Sequence, residues 1–188
     1  QEYFASYHCN TLRMFVERYG VIAGEEIAVF LEQYDYSDVC LTHSLLSYII
    51  SLSRIVEATD LFSLFSVSFF LKVLSFKNGQ TLHAIDVLKS IEASLHSLSE
   101  YDIKLIIDSL CACVFDPFSF HNSLFNNGMD LLCLFKDGFG DYIISKISEL
   151  AASFGNAELI VRHLVEYLTN ETSEARSALR REMQLSVK

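Results

Sequence analysis

Apolar residues return every three or four positions along most of this chain. Over 81–98, Leu82, Ile85, Leu88, Ile91, Leu95 and Leu98 carry that rhythm, while His83, Asp86, Ser90, Ser94 and Ser97 fall largely elsewhere. The spacing predicts an amphipathic helix whose stripe needs a neighbour. Over 100–115 the stripe is Ile103, Ile106, Ile107, Leu110 and Val114, opposite a ladder of alternating charge formed by Glu100, Lys104 and Asp108. Ser99 stands where it can cap this helix, with Asp102 three residues on in the place of the capping-box acid. Asp116-Pro117 ends it, because proline lacks an amide hydrogen and restricts the residue before it.

The same rules mark helical units at 3–19, 24–36, 39–57, 60–76, 81–98, 100–115, 122–136, 140–154, 157–169 and 173–186. Turn-forming stretches separate them, among them KNG, FDPFSFHN, KDGFG, FGN and TNETS. No comparable length alternates as a strand would. The predicted fold class is all-α, with about ten helices stacked as antiparallel pairs. The domain is expected to be a single α-helical one over residues 1–188, either whole in itself or a fragment of a longer helical-repeat protein.

The run DLFSLFSVSFFLKVLSF, residues 60–76, tests that assignment because so much of it is large and apolar. A bilayer core takes roughly twenty apolar residues in a helix. This run is shorter, contains Lys72 and is bounded by Asp60 and Lys77. A central buried helix is therefore expected, and no membrane insertion.

Successive central helices begin roughly every twenty residues, so a pair recurs about every forty, as in stacked helical-pair repeats. Over 39–169, and in LIVRHLVEYLTNETSEARSALRREM with its spaced Ala175, Ala178 and Leu179, the chain resembles an armadillo- or HEAT-type array. The resemblance implies a right-handed solenoid segment; an irregular helical bundle is the alternative. The turns depart from the proline and glycine pattern usual in armadillo repeats, and the last helix lacks the asparagine with which armadillo domains hold a peptide backbone.

Composition narrows the class of function. Hydrophobic residues make up 51% of the chain and charged ones 20%, which suits a packed core and not a disordered segment. The formal charge is −10, and residues 1–157 carry all of the excess. That field repels nucleic-acid phosphates and anionic lipid, and favours a protein partner presenting a basic peptide or surface patch. Five cysteines, Cys9, Cys40, Cys111, Cys113 and Cys133, form an odd set without the density of a disulfide scaffold. Reduced thiols in an intracellular protein, of cytoplasm or nucleus, are expected. The sequon at Asn170–Thr172 has meaning only in a secretory compartment.

Candidate chemistry is sparse. Cys111 and Cys113, two apart in a helix, point about 200° from one another and cannot readily share one metal. Cys40 and His43 could lie on one helical face, and Glu25-Glu26 with QYDYSD concentrates carboxylates. These are the residues that a helical hydrolase, the alternative function, would draw on. No zinc-protease pair, calcium loop, phosphate loop or dinucleotide fingerprint is present, and DGFGD is expected to be a connection between helices. Neither cofactor nor small-molecule substrate is expected. The most unusual connector is FDPFSFHNSLF, in which Phe115, Phe118, Phe120 and Phe125 either fold back on the core or form an aromatic docking patch. The last helix carries Arg176, Arg180 and Arg181. The expected function is a non-enzymatic protein–protein interaction scaffold or adaptor within a larger complex, with Phe118, Phe120, Arg176, Arg180 and Arg181 as partner-binding residues.

Overall fold

The computed structural model describes residues 46, 49–50, 61–64, 67–75, 79–116 and 123–186. Among them every regular element is helical: α1 (Leu61–Leu64), α2 (Val67–Ser75), α3 (Gly79–Ser90), α4 (Glu92–Leu95), α5 (Glu100–Val114), α6 (Ser123–Leu134), α7 (Lys136–Ala151), α8 (Ala157–Asn170) and α9 (Ser173–Ser186). The fold is all-α with antiparallel helix pairs. The helices expected at 3–19, 24–36 and 39–57 lie largely or wholly outside the described residues. The chain divides into two compact units, residues 1–106 and 107–188, and the division falls within α5.

In the first unit α2 packs on α3, and α3 on α4. Val67, Phe69, Phe70, Val73 and Leu74 of α2 are buried, with the Phe69 and Phe70 rings edge to face at 5.2 Å and Phe62 tilted against Phe70 at 6.0 Å. Ser68, Lys72 and Ser75 are exposed along one stripe, so this apolar run keeps a wet side. No helix among the described residues is long and apolar enough to cross a membrane. The buried Thr81 hydroxyl donates to the Val73 carbonyl at 3.2 Å, which ties α3 to α2.

The helix expected over 81–98 is broken. Ile91 leaves the helical region (φ −107°, ψ 26°), and α4 is a separate short turn. Ser90 Oγ donates back to the Asp86 carbonyl at 2.8 Å, the kind of serine back-bond that bends a helix end. At the start of α5, the Asp102 amide donates to Ser99 Oγ at 3.1 Å, as expected of a cap. The Asp102 carboxylate, one methylene shorter than the usual glutamate, accepts the Ser99 hydroxyl at 2.6 Å. Glu100 and Lys104 pair at 2.6 Å as the charge ladder predicts. Asp108, the third rung, takes the Tyr142 hydroxyl at 2.9 Å.

In the second unit α6 packs on α7, α7 on α8, and α8 on α9, each pair consecutive in sequence. Their buried faces are those the periodicity marks: Leu124, Phe125, Met129, Leu131 and Leu132 on α6, Ile143 and Ile147 on α7, Ile160, Leu164, Tyr167 and Leu168 on α8, and Ala175, Leu179 and Met183 on α9. One boundary differs from expectation. The DGFG segment is not a free connector: it forms the first turn of α7, which kinks at Phe139 (φ −131°, ψ 16°). Phe135 N–H bonds back to Leu132 and Phe139 N–H to Phe135, which carries the hydrogen-bond run across the junction.

Candidate functional site

The polar side chains of the second unit gather where helices meet. Asp130 is the only charged residue of α6, in the otherwise uncharged run SLFNNGMDLLCL. A lone carboxylate on a mostly buried helix requires a partner. Arg176 of α9 donates to its Oδ1 at 2.6 Å, and Tyr167 of α8 at 3.2 Å. The Arg176 guanidinium also stands over the Tyr167 ring, 5.9 Å from its centre. The charge-assisted contact and the stacking fix α9 against both α6 and α8.

Cys133 lies one helical turn beyond Asp130, buried and close to Tyr167. Burial pushes its thiol above the ordinary range, and burial raises the Tyr167 phenol as well. Both groups are therefore neutral near pH 7. Next to them, Lys136 at the α6–α7 junction pairs with Glu171 in the α8–α9 turn, and that pairing raises the lysine's pKa. Glu171 closes α8 in the left-handed region (φ 53°), with its N–H on the Tyr167 carbonyl at 2.7 Å. Thr172 then starts α9 by accepting the Ala175 amide at 3.2 Å.

The other end of α9 has a second joint. Asn156 stands at the N-cap position of α8, but its side chain does not cap that helix. It reaches across to α9, donating to the Glu182 carbonyl at 2.8 Å and to its carboxylate at 3.2 Å, and accepting the Ser186 hydroxyl at 2.6 Å. A third contact lies between α5 and α7, where Lys146 sits 5.6 Å from the centre of the Tyr142 ring whose hydroxyl binds Asp108.

The residues singled out from sequence separate under this geometry. Arg176 is mostly covered, its side chain 28% exposed and engaged with Asp130. Arg180 is half-buried, and Arg181 is 68% exposed beside Glu182 at 3.7 Å. Phe118 and Phe120 lie outside the described residues, as do Cys40, His43, Glu25, Glu26 and the QYDYSD segment. Of the same aromatic connector, Phe125 is fully buried and Phe115 stacks on Phe154, rings parallel at 6.1 Å. These two fold back on the second unit. Asp130, Tyr167, Lys136, Glu171 and Asn156 had no place among the sequence candidates. Two signals pointed to the first pair: the isolated charge of α6 and a tyrosine set on the apolar stripe of α8.

Chemically, the arrangement joins helices. A thiolate nucleophile needs a lowered pKa and a base held in place. Cys111 and Cys113 are buried thiols outside any disulfide, and burial, with Asp108 adding to it, pushes the Cys111 thiol up to about 12. Among the described residues no group of three or more His, Cys, Asp or Glu side chains is placed to hold a metal ion. No protein-family model, no curated protein and no solved structure matches the chain.

Proposed function

We propose that this chain is a non-enzymatic helical interaction module, a scaffold or adaptor in a larger intracellular assembly, built as an armadillo- or HEAT-like stack of helix pairs. One observation carries the reading: polar side chains among the described residues of 107–188 bond between helices. Asp130, Tyr167 and Arg176 join α6, α8 and α9, and Asn156, Glu182 and Ser186 lock the far end of α9. Such joints make a rigid body, and a rigid body presents a fixed surface at low entropic cost on binding. The sequential packing of α6 to α9 supports the stacked arrangement. Buried thiols outside any disulfide support a reducing compartment.

With a formal charge of −10, the surface favours a partner carrying a basic peptide or patch. Phe118 and Phe120 are the aromatic anchors in this proposal, and Arg180 and Arg181 the polar contacts. Arg176 serves the interface indirectly, by holding α9 in place. The test is affinity capture with the 188-residue chain, set beside Phe118→Ser/Phe120→Ser and Arg181→Ala variants whose helical content is checked by circular dichroism. The expected result is a defined set of captured proteins that the double variant loses, with capture weakening as salt is raised. Identical capture by a folded double variant rules out the aromatic patch.

A further inference from the structure

The turn between α8 and α9 is short and strained. Only Glu171 and Thr172 lie between the two helices, and Glu171 has the one positive φ of any non-glycine residue among the described residues, 53°. The left-handed region is costly for a residue with a Cβ. No glycine or proline occurs from Ala157 to Lys188, so nothing in the sequence forbids a helix that runs straight through the turn. The two helices also agree in phase. At 100° per residue, a continuous helix would set Ile160, Leu164, Tyr167, Leu168, Ala175, Leu179 and Met183 within an arc of about 160°. The apolar residues of both helices would then lie on one side of the continuous helix.

The α9 interface is mixed in character. It buries three apolar side chains, Ala175, Leu179 and Met183, and is completed by Arg176 on Asp130 and Glu182 and Ser186 on Asn156. Each of these contacts can be made equally by α9 of a second copy. We propose that the chain forms an exchanged dimer: α8 and α9 of each copy straighten into one helix through Glu171, and each α9 docks on α6 and α8 of the other. The closed and exchanged forms share every α9 contact and differ at the hinge. Strain released at Glu171 thus favours exchange, while the loss of independent motion, of the Thr172 cap and of the Lys136–Glu171 pair at the turn opposes it. The occupant is set by charge: the guanidinium of Arg176 meets the carboxylate of Asp130 from the other copy. This inference is independent of any partner the module binds.

The experiment uses the whole 188-residue chain and sedimentation equilibrium over a wide concentration range. Glu171→Gly removes the left-handed penalty and weakens the continuous helix, so dimerisation should fall at least about tenfold. Glu171→Ala/Thr172→Ala keeps the penalty, removes the α9 cap and favours helix, so dimerisation should rise. Identity of the contact comes from mixing an Asp130→Arg chain with an Arg176→Asp chain. Each alone sets like charges together, whether closed or exchanged. Mixed, only an exchanged heterodimer restores opposite charges at both joints, so heterodimer should exceed either homodimer at least about tenfold. The proposal is overturned if mixing yields no heterodimer, even where the hinge variant dimerises, since that dimer would use another face.

Discussion

Replacing Phe125 by alanine is expected to cost about 3–5 kcal/mol of stability, the usual range for removing a buried ring. Phe125 is fully buried on α6, as are Met129, Leu131 and Leu132 of the same helix. The loss combines the transfer free energy of the phenyl group with a cavity that fixed neighbours fill only in part. Since a domain of this size is stable by roughly 5–15 kcal/mol, one substitution would remove a large share of the total. A drop in Tm of roughly 6–20 °C is expected for 150–250 residues, measured by circular dichroism. The exposed Tyr101 is the control, and its alanine variant should melt with wild type. A Phe125→Ala protein that melts with wild type would mean that the ring is not a core member and that the aromatic connector stands away from the body.

Leu179→Ala should have the second largest effect, about 2–5 kcal/mol, and a different form. Leu179 is fully buried, yet α9 buries only two other side chains, Ala175 and Met183. The helix therefore has little apolar contact to fall back on. Its detachment sets a ceiling on the cost, because once α9 leaves the surface further destabilisation of its packing has no consequence. Hydrogen exchange is the measurement. Amides of α9 should lose most of their protection, while those of α6 and α7 stay close to wild type. Equal loss throughout residues 123–186 would show that α9 folds as one cooperative unit with the rest.

The apolar periodicity made most of the helices legible, since a stripe at three and four encodes both the element and its buried face. The units expected at 100–115, 157–169 and 173–186 match α5, α8 and α9 within a residue or two. The break at Ile91 was hidden because the stripe continues through it; beside it Ser90 bonds back to the Asp86 carbonyl, which periodicity does not register. DGFG looked like a connector because glycine disfavours helix, but the hydrogen bonds at Phe135 and Phe139 carry one turn through it. The joints were harder still. Asn156 has the residue type and position of a helix cap, and only the approach of α9 gives its side chain better partners. Arg176 reads as surface charge in sequence, because its carboxylate lies forty-six residues away on another helix.

The central claim is that polar side chains of residues 107–188 act as joints between helices. A double-mutant cycle on Asp130→Ala and Arg176→Ala, read by chemical denaturation, tests it most directly. The pair is partly covered and only 2.6 Å apart, so a coupling of about 1 kcal/mol is expected. Single-variant losses that simply add, to within about 0.3 kcal/mol, would mean that Asp130 and Arg176 do not act together in holding α9 and would contradict the account.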